Sequence, residues 1–101
     1  MESKIKTYLG FASKAGKLKF GMAKTEESAK KGKAELIAFA NDVSDKTKKE
    51  ILFIGNKYNV AVVPLGFSGD ELEKAVGSRC LVLALEDNSF AKAIKNSIES
   101  I

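Results

Sequence analysis

The sequence predicts an α/β protein, a three-layer α/β/α sandwich built on a four-stranded mixed sheet. Two observations carry this. Short apolar runs at 36–40, 60–64 and 80–85 read as strands covered on both faces, and apolar residues at helical spacing fill the stretches around them. Helices alternating with such strands imply crossover connections and helices on both sides of a parallel or mixed sheet. No linker, low-complexity tract or internal repeat interrupts the 101 residues, so one domain over 1–101 is expected.

Each element has its own signature. Ile5, Tyr8, Leu9 and Ala12 give a one-sided first helix over about residues 2–15, stopped by Gly16 and carrying Lys14 in its last turn. Lys17-Leu18-Lys19-Phe20 alternates polar and apolar, as a half-buried strand does. Gly21 follows, and a second helix runs from Met22 to Lys31, closed by Gly32. Glu26 with Lys30 and Glu27 with Lys31 support that helix as Glu-before-Lys pairs.

Leu36 to Ala40 is a continuous apolar strand. Asn41-Asp42-Val43-Ser44 then turns, with Ser44 as N-cap of a third helix whose inner stripe is Thr47, Ile51, Ile54 and Tyr58. Val60 to Pro64 forms the next buried strand, ended by its proline. Ser68-Gly69-Asp70-Glu71 has capping-box spacing and starts a short helix bearing Leu72, Ala75 and Val76. Cys80 to Leu85 is the last strand, and Phe90, Ala91, Ile94, Ile98 and Ile101 line a closing helix.

Composition excludes several functions. There is no histidine, so the commonest metal ligand and the usual neutral-pH proton carrier are absent. Ser-His and Cys-His catalysis fall with it, and a single cysteine builds no intramolecular disulfide. Cys80, opening an apolar strand, reads as a core thiol. Asp42 with Asp45, and Glu86 with Asp87, have the chemistry of a magnesium site but lie where helix caps and first-turn acids belong, so capping is preferred. No acid–base pair is evident to line a pocket. The expectation is no enzyme, no metal and no cofactor. The start of the chain lacks a leader-like apolar stretch, and no run approaches the ~20 residues of a membrane span. A soluble cytoplasmic protein without a membrane partner is therefore expected, and the oligomeric state is not readable.

Charge is unevenly placed. The whole chain carries 17 Lys+Arg against 13 Asp+Glu, a net of +4. Residues 1–33 hold nine lysines and three glutamates, whereas residues 34–101 hold eight basic and ten acidic groups. The excess thus lies wholly in the first third, which suits either a polyanion such as RNA or simply a solubilising surface. Gly16 and Gly21 have the spacing of a phosphate-binding P-loop, but Met22 and Ala23 stand where its Lys and Ser/Thr are required, and that reading fails. Gly21 instead turns a strand into a helix, leaving the backbone N–H groups from Met22 and Ala23 onward free to meet an anion. Lys14, Lys17, Lys19 and Lys24 are expected around this opening. Cations at a helix N-terminus cost ~0.3–1 kcal/mol each unless an anion arrives. Phe67, in the Gly66–Gly69 loop, is either a packed loop anchor or an exposed ring for stacking on a base.

Two stretches carry a family likeness. Ser13 to Gly21, followed by a helix running into Lys31-Gly32-Lys33-Ala34-Glu35-Leu36, resembles the ribosomal protein L-seven-Ae family, whose members include kink-turn RNA-binding ribosomal proteins. Asn41 to Ser44 and Leu72 to Gly77 are similar to its acidic turn and to the end of its short helix, and the bacterial YlxQ-type subgroup is the nearest in look. The resemblance implies an α/β/α sandwich that holds RNA by the turn into the second helix, with help from the loop before the last strand. It maps the motif glycine onto Gly21 and the second contact onto Gly77, Ser78 and Arg79. The family motif is Gly-x-Asn-Glu with a Lys three residues on; this chain has Ala23 for the Asn, Lys24 for the Glu and Glu27 for the Lys. Glu73 also replaces a usual Gly.

The leading expectation is a non-catalytic RNA-binding protein of the ribosomal type. It would bind structured RNA, a kink-turn or another cytoplasmic RNA, through Lys14, Lys17, Lys19, Gly21, Met22, Ala23, Lys24, Gly77, Ser78 and Arg79, and would associate with the ribosome. Phosphate contacts position without reading bases, so selectivity would come from RNA shape. The alternative is a protein–protein interaction adaptor on the same scaffold.

Overall fold

A computed structural model describes residues 2–99, in which five helices alternate with four strands. The helices are α1 (Glu2–Lys14), α2 (Met22–Lys30), α3 (Asp45–Tyr58), α4 (Gly69–Val76) and α5 (Asn88–Glu99). The strands are β1 (Leu18–Phe20), β2 (Leu36–Phe39), β3 (Val62–Pro64) and β4 (Val82–Leu85). Ile101, expected to extend the stripe of the closing helix, lies outside the described residues.

The sheet is mixed, in the order β1-β4-β2-β3. β4 runs antiparallel to both β1 and β2, and β2 runs parallel to β3. Alternation along β2 and β4 divides the core in two. Leu36, Ala38, Leu83 and Leu85 pack with Ile5, Leu9, Phe67, Leu72 and Ile94 beneath α1, α4 and α5. Ile37, Phe39, Val82 and Ala84 pack with Ala29, Ile51 and Ile54 beneath α2 and α3. Every residue of β2 and β4 is buried, as the apolar runs require of strands covered on both faces.

Two expectations are corrected and one open alternative is decided. The stretch expected as a buried strand over Val60 to Pro64 is shorter and lies at the sheet edge: Val60 and Ala61 precede β3, only Val63 in it is buried, and Pro64 ends it as expected, where a missing N–H is tolerated. β4 begins at Val82 rather than Cys80. Cys80 is still buried, but in the approach to the strand. Phe67 is 1% exposed and Lys6 stands 5.0 Å over its ring, so the packed-anchor reading holds and the base-stacking one does not.

Capping sets where the helices start. Thr47 N–H donates to Ser44 Oγ at 3.1 Å, and Ser68 and Glu71 form a reciprocal capping box. Asp87 accepts from Phe90 N–H at 2.9 Å at the start of α5. Asp42 also caps, but not its own helix: it accepts from Gly69 N–H at 2.8 Å and ties the β2–α3 turn to α4. Glu86 caps nothing and instead accepts from the Ser28 hydroxyl. Where α3 meets the sheet, Gly55 is buried so tightly that an added Cβ would fall inside the Val62 side chain.

Candidate nucleic-acid interface

The turn from β1 into α2 has a conformation only glycine adopts. Gly21 has φ 91° and ψ 164°, and its N–H donates to Val82 O at 2.8 Å. Having no side chain, it caps nothing. The first helical bond runs from Thr25 N–H to Gly21 O, which leaves the N–H groups of Met22, Ala23 and Lys24 without intrahelical acceptors. The first turn of α2 also has no acid, whereas α3 carries Asp45 there and α4 carries Asp70 and Glu71. The positive end of this helix dipole is uncompensated.

Strand register decides which lysines join the turn. Leu18 and Phe20 pair with Leu85 and Leu83, which face α1; Lys19 pairs with Ala84 and so projects on the α2 side. Lys24, Glu27, Ser28 and Lys31 follow at helical spacing along the flank of α2 nearest β1. Beyond Gly32 the chain folds back, with Lys33 N–H donating to Ser28 O at 3.0 Å. Lys19, Lys24, Lys31 and Lys33, with Glu27 and Glu86, thereby line one groove of about 250 Å³. Lys31 pairs with Glu27 at 3.2 Å. Among the described residues Lys19, Lys24 and Lys33 have no ion-pair partner, and the expected Glu26–Lys30 pair is not formed.

The other expected residues fall into different places. Lys17 is level with Glu86, whose N–H donates to Lys17 O at 2.8 Å, so it lies at the far end of β1 from Gly21. Lys14 is not among the residues lining the groove beside the turn. It lines a separate groove of about 480 Å³ between α1 and α4, with Lys6, Phe11, Glu71 and Lys74. Met22 is half-buried and packs against the apolar cluster beneath α2 and α3. Ala23 and Lys24 are exposed.

The Gly77–Arg79 loop enters β4 three residues ahead of Val82, and the Gly21–Val82 bond brings it to the same end of the sheet. Gly77 ends α4 with φ 81°. Ser78 is half-buried. Arg79 is well exposed and reaches back to Glu73 at 3.3 Å and Asp70 at 3.7 Å. Such exposed pairs are worth ~0–1 kcal/mol, so the guanidinium is cheaply redirected to a phosphate.

Sequence reasoning missed Lys31 and Lys33 as lining residues. A signal was present: a lysine on each side of Gly32, whose φ of 77° reverses the chain. Two titrations are shifted. Burial pushes the Cys80 thiol from its ordinary 9.0 up to about 11, with a smaller push from the Glu73 charge. That is the opposite of what a nucleophile needs. The Ser68 N–H, then Lys6, hold the Glu71 carboxyl below its ordinary 4.5. No cluster of three or more metal-ligating side chains occurs among the described residues, and no helix there is long and apolar enough to cross a membrane.

Known proteins share this architecture. A solved structure from Bacillus halodurans, described as a protein with unknown function, superposes with a TM-score of 0.89 at 25% identity, covering 95% of this chain and 97% of that one. The Giardia lamblia 15.5kD RNA binding protein superposes with a TM-score of 0.78 at 15% identity, over 98% of this chain and 85% of its own, a likeness of fold alone. In sequence, the RNA-binding protein YlxQ of Enterococcus faecium is 35% identical over 96 residues, spanning 95% of this chain and 92% of that one. The model of the Ribosomal protein L7Ae/L30e/S12e/Gadd45 family matches residues 3–95, and the chain belongs to that family.

Proposed function

We propose that the protein binds structured RNA in the cytoplasm, through the turn at Gly21 and the groove beside it, as a non-catalytic component associated with the ribosome. The protein is not an enzyme, as its family membership and its YlxQ relative indicate. One observation carries the reading of the site: the uncapped, acid-free N-terminus of α2 opens beside a groove holding three unpaired lysines. Backbone N–H groups at Met22, Ala23 and Lys24 take one phosphate, and Lys19 and Lys24 take its neighbours. Arg79, released from α4, adds a contact from the adjoining loop.

With Ala23 and Lys24 at the reading positions, there is no Asn or Glu side chain to accept from bases. Recognition then rests on the path of the phosphates, which a kink-turn bends sharply and a plain duplex does not. Titrating a kink-turn RNA, a plain duplex and a single strand at several salt concentrations tests this. The expected result is tightest binding to the kinked RNA and a steep fall of affinity with salt. Equal affinity for all three would reduce the interaction to charge alone.

An adaptor role draws on the exposed Phe11 on α1 and the exposed Leu52 and Phe53 on α3. No RNA binding at moderate salt, together with a stable protein partner, would favour it.

A further inference from the structure

Glu86 is a carboxylate placed among lysines that it does not neutralise. It lines the groove with Lys19, Lys24, Lys31 and Lys33, yet forms no ion pair among the described residues. Instead Ser28, 3% exposed on the inner side of α2, donates its hydroxyl to Glu86 Oε2. The partners are 58 positions apart in sequence, so the contact is tertiary. Only one carboxylate oxygen is engaged, and Glu86 itself is half-buried, with acceptor capacity left toward the groove.

A carboxylate repels phosphate and can only accept hydrogen bonds. In a cationic groove it weakens backbone binding unless the ligand brings a donor to it. The groove lining has lysines, glutamates and a serine, and no aromatic ring or amide to hold a base, so it suits a sugar–phosphate backbone. An RNA backbone has one kind of donor, the ribose 2′-hydroxyl, and a DNA backbone has none. We infer that Glu86, fixed by Ser28, accepts a hydrogen bond from a ribose 2′-hydroxyl of a strand lying along α2 from Gly21 toward Lys33, and so selects RNA over its 2′-substituted analogues. This deepens the proposed RNA-binding reading and rests on it.

The test compares a kink-turn RNA with the same sequence carrying 2′-fluoro groups, which keep the A-form sugar pucker but cannot donate. The unaltered protein is expected to prefer the 2′-hydroxyl form by about tenfold or more, the scale of one hydrogen bond to a charged group. Glu86→Ala should abolish that preference and tighten binding to the 2′-fluoro strand, because a repelling charge has gone. Ser28→Ala, which keeps a helix-compatible side chain and the carboxylate, should lower the preference by freeing Glu86 to swing onto a lysine. Equal binding of the two strands by the unaltered protein, or an unchanged preference in Glu86→Ala, would overturn the inference while leaving RNA binding intact. If Lys19→Glu with Lys24→Glu also leaves kink-turn affinity unchanged, the underlying site reading fails with it.

Discussion

Gly21 N–H donates to Val82 O at 2.8 Å, and this bond fastens the turn into α2 to the strand entered from the Gly77–Arg79 loop. It fixes the open N-terminus of α2 against β4 instead of leaving it on a free loop. The backbone there has φ 91°, and an added Cβ would meet nothing within 4 Å. A substitution is therefore opposed by backbone strain and not by crowding. Gly21→Ala should cost about 1–3 kcal/mol of stability in denaturant unfolding and weaken RNA binding together with it. Unchanged stability would mean the turn relaxes freely.

Lysines in the groove and lysines outside it should behave differently. Lys33→Ala is expected to weaken RNA binding and lower the log–log salt slope by about one, whereas Lys14→Ala, between α1 and α4, should change neither. The same titration on both variants decides between this groove and a broader ring of charge around the turn.

That contrast shows where the sequence stopped being informative. Apolar runs and helical spacing made the order of nine elements readable, because burial on one or both faces leaves a local pattern. The strand order β1-β4-β2-β3 leaves none, so Lys14 and Lys19 look equivalent in sequence, although they face different grooves. β3 read as buried on both faces because its apolar run is as long as that of β2, yet it lies at the edge with only Val63 buried. The Asp42–Gly69 cap and the Ser28–Glu86 bond join distant segments, and no local spacing announces either. Gly21 was readable, since a glycine between a strand and a helix already implies an uncapped turn.

Thr25 lies fully buried in α2, and its Oγ1 is the buried side-chain oxygen without a hydrogen-bond partner among the described residues. A desolvated, unpaired hydroxyl costs about 1–3 kcal/mol, and valine has the same branched shape without it. Thr25→Val should therefore raise the unfolding midpoint in urea. A lower midpoint would show that the hydroxyl finds a partner, such as a buried water.

Cys80 gives a pH signature. Its folded thiol, pushed by burial to about 11, lies above the ordinary 9.0 of an unfolded cysteine. Below about pH 9 both states hold the proton and the contribution is complete. Between about 9 and 11 the unfolded chain releases its proton first, so stability falls as pH rises. Cys80→Ala should flatten this part of the stability–pH curve, measured by urea unfolding, and the native thiol should alkylate slowly at pH 8.

The most direct test of the account is the salt dependence of RNA binding by the Lys19→Glu, Lys24→Glu double variant, with thermal unfolding as a check on the fold. Both side chains are exposed and have no ion-pair partner among the described residues, so folding should be nearly unaffected. Weakened kink-turn binding and a log–log salt slope reduced by at least about two are the predicted result. A folded double variant with unchanged affinity and slope would contradict it and move the RNA site away from the turn at Gly21.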